Sequence, residues 1–177
     1  MKSDTPAPPL LRRFDLGDLS QAGSEVTVAA DGDELARLAT WAGVDAVRSF
    51  RATVSLRRIS QTCFDFEADL DADIVQSCVV TLEPVQSHVA RHVSRELLLA
   101  PDARPAAGEL TLSAGDDDVP EAIDSLDYDL AAPLLEELVL AIDPYPRKAG
   151  AAFERPQEPG AAPDSPFAVL KTLKEQG

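Results

Sequence analysis

VRSFRATVSLRRISQTCFDFEADLDAD, residues 47–73, alternates apolar and polar side chains on both sides of a short polar break. Phe50, Ala52, Val54 and Leu56 share one parity; Arg51, Thr53, Ser55 and Arg57 share the other. Beyond Ile59-Ser60-Gln61 the pattern resumes, with Phe64, Phe66, Ala68, Leu70 and Ala72 set against Asp65, Glu67, Asp69, Asp71 and Asp73. A period of two with one apolar face marks a half-buried strand, because successive side chains point to opposite faces. Two such runs around a loop of about five residues predict an antiparallel hairpin. With the apolar faces aligned, the outer face sets an arginine-bearing strand against a carboxylate-bearing one. Opposite charges across a strand pair help to fix its register.

Working outward, the 177 residues make room for about one domain. Hydrophobic residues make up 45% of them, enough for a core. Asp and Glu number 31 against 16 Lys and Arg, a net charge of −15, which repels phosphate backbones and attracts basic proteins. MKSDTPAPPLLRR has no apolar core of signal-peptide length, and no window approaches the roughly 20 apolar residues of a membrane helix. A cytoplasmic protein is expected, with no membrane partner and with Cys63 and Cys78 as free thiols.

N-terminal to the hairpin, residues 1–9 hold three prolines and read as a disordered start. Leu10 to Leu16 reads as a first strand, with Leu11, Phe14 and Leu16 available for the core, and Glu25 to Ala29 as a second. Asp31 or Asp33 caps a helix running to about Ala42, with Gly43 at its C-cap and Trp41 as a core anchor. C-terminal to the hairpin, Ile74 to Pro84 reads as extended and ended by Pro84. Val85 to Ala100 fits either period, and its valine, serine and histidine content favours a strand. On a strand His88 and His92 are half-exposed side chains; on a helix they would share a face and could hold a metal. Residues 101–120, with Asp116-Asp117-Asp118, read as a solvated acidic loop. Residues 127–148 carry the strongest helix, with Asp129 as N-cap, Pro133 in the first turn, and Leu134, Leu135, Leu138, Val139 and Ile142 on a wide apolar face. Residues 147–164 read as a flexible Pro/Ala/Gly linker, and 165–177 as a short amphipathic helix with a Phe167, Leu170, Leu173 stripe.

The predicted architecture is α+β: one domain over 10–146, a mainly antiparallel twisted sheet rolled toward a barrel, two packed helices, and the terminal helix on its linker. No Ser/His/Asp elbow, phosphate-cradling glycine loop or metal-ligand cluster appears in the sequence. No catalytic residue, cofactor, metal or small-molecule substrate is therefore expected, and the protein is not read as an enzyme. Arg48, Arg51, Arg57 and Arg58, with Arg91 and Arg95, either form the one basic patch or neutralise Asp65 to Asp73 across the sheet. The second arrangement is favoured.

Three segments in order, CVVTLEP at 78–84, YDLAAPLLEELVLAIDPYPR at 128–147 and SPFAVLKTLK at 165–174, resemble the YceD family of large ribosomal RNA subunit accumulation proteins. The resemblance covers about residues 10–174. It departs from the family at a cysteine motif. Many members carry Cys-x-x-Cys followed by leucine, one residue and proline, whereas here the second position is Thr81; where some relatives have further cysteines, this chain has PYPRK. The resemblance implies a role in accumulation of large-subunit (23S) ribosomal RNA and in large-subunit biogenesis, without the metal.

Two routes fit that role: Arg51, Arg57, Arg91 and Arg95 touching RNA, or the acidic surface holding a basic ribosomal or rRNA-processing protein, with RNA engaged directly or indirectly. The net charge favours the second, with Phe167, Leu170 and Leu173 docking in a partner's groove. The competing readings are an acidic inhibitor that mimics nucleic acid and a dedicated holder of one small basic protein.

Overall fold

The structure is a computed structural model, and it describes residues 7–20, 22–100 and 120–153. The acidic triplet 116–118, the linker from 154 and the 165–177 stretch with Phe167, Leu170 and Leu173 lie outside the described residues. In chain order the elements are β1 (Arg13–Asp15), a 3-10 turn (Leu16–Asp18), β2 (Ser24–Ala29), α1 (Gly32–Ala42), β3 (Ala46–Arg58), β4 (Cys63–Ser77), β5 (Pro84–Leu99), β6 (Glu121–Ile123), β7 (Asp127–Asp129) and α2 (Ala131–Ala141).

The predicted hairpin is the centre of the sheet. β3 and β4 pair antiparallel from Arg58↔Phe64 to Ala46↔Val75, with a register shift between Val47 and Ser49. β5 continues the antiparallel order on β4, and the sheet runs β2-β3-β4-β5-β6 with only β5–β6 parallel. The fold is α+β as expected, but the sheet is open rather than closed into a barrel. β1 and β7 form a separate two-stranded pair.

One face of the long strands lines the core, without interruption along β3 from Phe50 to Leu56 and along β4. Phe50, Ala52, Val54 and Leu56 of β3, Phe64, Phe66, Ala68, Leu70, Ala72 and Ile74 of β4, and Val89, Val93 and Leu97 of β5 all enter the core. α1 packs on β3 and α2 on β5 and β4, with Leu10, Leu16 and Leu19 of the N-terminal segment joining the same cluster.

Several sequence expectations need correcting. β4 runs on to Ser77, and Pro84 begins β5 rather than ending a strand, because a proline at a strand's first residue forfeits no ladder bond. The first strand is only Arg13–Asp15, and Leu11 is exposed while Leu16 is buried. Trp41 is 47% exposed. It lies beside the stripe of Leu35, Leu38 and Ala39, and it lines a surface pocket with Pro9 and Arg37. The N-cap of α2 is Leu130; Asp129 one residue earlier accepts from the Ala131 amide (3.1 Å) and from the Arg12 amide (2.8 Å). Pro133 stands in the first turn as expected.

α1 begins as its sequence dictates. Asp31 accepts from the Glu34 amide and Glu34 accepts from the Asp31 amide, a capping box, while Gly43 closes the helix at φ 69°. Glu34 also takes both terminal nitrogens of Arg12, at 2.8 and 2.6 Å, and Arg12 donates on to the Ala29 carbonyl. The Arg12 fork, followed by the Asp31 amide, pulls the Glu34 carboxyl down to about 2. A depressed carboxyl stabilises the fold above its ordinary value of 4.5, and that contribution fades as pH falls through about 2. Glu34→Ala is expected to lower unfolding free energy by about 2 kcal/mol at neutral pH. Urea titrations at pH 7 and pH 2.5 should show the gap between variant and wild type shrinking in acid.

Candidate functional site

The outer face of the sheet concentrates charge, because the strand period that buries Phe64 to Ala72 must expose Asp65 to Asp73. Reading across β3, β4 and β5, the rows are Ser49–Asp73–His88, Arg51–Asp71–Ala90, Thr53–Asp69–His92, Ser55–Glu67–Ser94 and Arg57–Asp65–Glu96. Five carboxylates thus stand in one file on β4, every second residue.

The flanking strands partly neutralise the file, but of the arginines expected to do so only Arg57 forms an ion pair with it among the described residues, and His88 and His92 supply the other charged partners. Arg57 bonds Asp65 and lies 3.7 Å from Glu67. His88 Nδ1 sits 2.9 Å from Asp73 and its Nε2 3.3 Å from Asp71, while His92 Nδ1 sits 2.8 Å from Asp69. Ser49 donates to Asp73 at 2.7 Å. Arg51 is placed opposite Asp71. Hydrogen bonds to Asp73 and Asp69 raise His88 and His92, respectively, above the ordinary histidine value, and His88 in turn holds Asp73 below the ordinary aspartate value. The face therefore has two charge states. Above the raised histidine values Asp69, Asp71 and Asp73 have Arg51, opposite Asp71, as the cation across from them on β3; below those values each has an imidazolium beside it.

A group that holds its proton more tightly when folded stabilises the fold fully below its free value of 6.5, and loses that contribution as pH rises through the raised value. In an NMR titration both imidazoles should titrate above 6.5. Asp73→Asn should bring His88 down and leave His92 where it was. A His88 that does not respond would show that the carboxylate is not what holds its proton.

The six candidate arginines do not form one patch. Arg51 and Arg57 lie on the outer face, but Arg91 and Arg95 have the parity of Val89 and Val93 and lie on the helix side. Arg95 is tied to Glu121 on β6 at 3.1 Å and to Glu136 on α2 at 2.7 Å, so it fastens α2 to the sheet. Arg91 bonds the Ala90 carbonyl on its own strand. Arg58 donates to the Leu16 and Gly17 carbonyls, with its guanidinium over the Phe64 ring. The expectation of a shared RNA-facing surface for Arg51, Arg57, Arg91 and Arg95 fails because strand parity splits the four between opposite faces.

The second chemically distinctive place is the β4–β5 turn. Cys78 is fully buried there. Its amide donates to the Glu83 carbonyl, its carbonyl accepts from Leu82, and Leu82 adopts the left-handed φ of 61°. The segment after α2 straps across this turn: Gln76 Nε2 donates to the Asp143 carbonyl, the Val79 amide to the Pro146 carbonyl, and the Lys148 amide to the Cys78 sulfur at 3.4 Å. Lys148 Nζ closes the strap on Glu83 at 3.0 Å. Donation from the Lys148 amide, then from Thr81, draws the thiol down to about 6.

This turn and strap are the two places where the family resemblance would set metal-binding cysteines. The residues here do not fit a metal. One sulfur is present, and amides and a threonine hydroxyl surround it. No group of three or more His, Cys, Asp or Glu is arranged to hold an ion among the described residues. Nor is any helix among them long and apolar enough to cross a membrane.

Sequence reasoning missed the strap, the fastening role of Arg95, and strands β6 and β7. The polar ends of these contacts are backbone groups and residues distant in sequence, which leave no local pattern. Comparison with curated proteins and with solved structures finds no match. The family profile described as Large ribosomal RNA subunit accumulation protein YceD matches residues 66–174, from near the start of β4 through α2 to the terminal stretch. Because that match spans more than half of its length, the chain belongs to the YceD family.

Proposed function

We propose that this chain supports accumulation of large-subunit ribosomal RNA, the role its family name carries, as a non-enzymatic adaptor that holds a basic ribosomal or rRNA-processing protein against the outer face of β3, β4 and β5. The observation that carries this reading is the file of Asp65, Glu67, Asp69, Asp71 and Asp73 on a rigid central strand. Its charge is only partly cancelled by Arg57 and the two histidines. A pre-formed acidic face steers a basic partner and repels the phosphates of free RNA. In the assembly pathway, such a holder keeps a basic protein off non-specific RNA until its own site is ready.

The test is the ratio of large- to small-subunit rRNA in cells depleted of the protein and rescued by wild type. A selective fall in large-subunit rRNA, restored on rescue, supports the role. An unchanged ratio removes it.

One observation favours a second reading. Carboxylates on alternate residues of an extended strand repeat about every 6.8 Å, giving a regular line of negative charge of the kind a nucleic-acid mimic presents. An inhibitor of that kind would bind a basic nucleic-acid-binding protein and leave rRNA levels untouched, so the same experiment separates the two.

A further inference from the structure

α2 is apolar on two sides. Leu134, Leu135 and Leu138 are buried against the sheet, yet Val139 and Leu140 on its outward side are 43% and 79% exposed. A surface helix ordinarily turns polar residues outward, and a helix that is apolar all round is one that is covered. The same outward side carries Glu136, bound on one edge by Arg95, and the half-buried Glu137 lies next to it.

We propose that residues 165–174 of this same chain cover that face, with Phe167 and Leu170 on Val139 and Leu140, and Lys171 and Lys174 toward Glu136 and Glu137. Three observations select this occupant. The first is charge: in a chain of net charge −15, SPFAVLKTLK pairs an apolar stripe with two lysines, the complement of an apolar helix face edged by glutamates. Placed on a helix, Lys171 and Lys174 fall on the side of Phe167 and Leu170, as the pairing requires. The second is tether length. The strap holds Pro146 and Lys148 on the β4–β5 turn, just beyond the C-terminal end of α2. From Phe153 to Pro166 the chain can span up to about 45 Å, while α2 is only about 16 Å long. A tether of that reach gives an effective concentration on the order of millimolar, enough to hold a segment too short to stay bound as a separate molecule. The third is that the family match does not stop at α2 but runs on to residue 174. This seat replaces the partner groove expected from the sequence for Phe167, Leu170 and Leu173, and it does not rest on the adaptor reading.

The test is reciprocal and uses the full chain. Amide spectra are recorded for wild type, for F167S/L170S/L173S and for L140D. Leu140 is exposed, so L140D leaves the core intact, and dispersed β-sheet signals in each spectrum verify the fold. The terminal variant should shift the amides of residues 136–141, and L140D should shift those of 165–174, with the signals of β3 and β4 unmoved in both. Shifts that are the same at 20 and 500 μM protein mark a contact within one chain. Two results overturn the proposal: α2 amides unaffected by the terminal variant, or shifts that fade on dilution, which would place the stretch on a second copy.

Discussion

Phe66→Ala is expected to lower the unfolding free energy by about 3–5 kcal/mol, the range for deleting a buried aromatic side chain that its surroundings cannot refill. Phe66 is fully buried on β4, the central strand, opposite Leu56 of β3 and Arg95 of β5. Its ring meets Tyr128 of β7 edge-on, with centroids 6.1 Å apart and planes at 71°. One side chain therefore joins the main sheet to the β1–β7 pair, and its loss opens a cavity where two sheets meet. Domains of this size are held by about 5–15 kcal/mol, so the variant should be marginal at 37 °C. Urea midpoints compared with those of Ile59→Ala, a control on the exposed hairpin loop expected within about 0.5 kcal/mol of wild type, would measure it. A loss below 1 kcal/mol would mean that the interior collapses to fill the space.

The second large effect is on binding. Asp69→Asn, Asp71→Asn and Asp73→Asn together remove the three carboxylates that have no partner in Arg57 and that face the histidines, Ser49 and Arg51. Exposed ion pairs contribute about 0.2–1 kcal/mol each, so three lost contacts should weaken capture of a basic partner by up to about a hundredfold. Purified proteins of the large ribosomal subunit serve as the probe in a titration at low ionic strength. Wild-type binding should weaken with added salt, as screening demands, and the triple variant should show a shallower salt response. Wild-type binding should also weaken as pH falls through the raised values of His88 and His92, because each imidazolium cancels a carboxylate the partner would use. An Asn variant that binds as well as wild type would remove the sheet face from the mechanism.

The hairpin was legible because strand burial writes itself into alternate residues. The same alternation also foretold the carboxylate file and its neutralisation by Arg57. The α1 cap and stop were legible for a similar reason: capping uses residues three apart and a glycine at the end, all local. What could not be read was the joining of distant parts. A stripe at helical spacing places Trp41 near the core but cannot say which flank the neighbouring segment leaves open. Pro84 reads as a stop from either side; only the turn between Cys78 and Glu83 shows that it starts a strand. The arginines were misjudged as a group because sequence proximity says nothing about parity across separate strands. Arg57 and Arg95 sit on opposite faces although each is paired with carboxylates.

That opposition has a consequence at the sheet's margin. β5 runs from Pro84 to Leu99, yet β6 covers only Leu97 to Leu99, and among the described residues no strand lies beside the rest of it. A long uncovered strand is a template on which another chain can continue the sheet, the first step toward aggregation. Here the strand opens with a proline, and midway along it Arg91 turns a charge toward the side where the core lies. An incoming strand continuing the hydrophobic layer would have to bury that guanidinium and displace it from the Ala90 carbonyl. Arg91 thus stands where an added strand meets a charge instead of an apolar layer, an obstacle to growth of the open sheet along this edge.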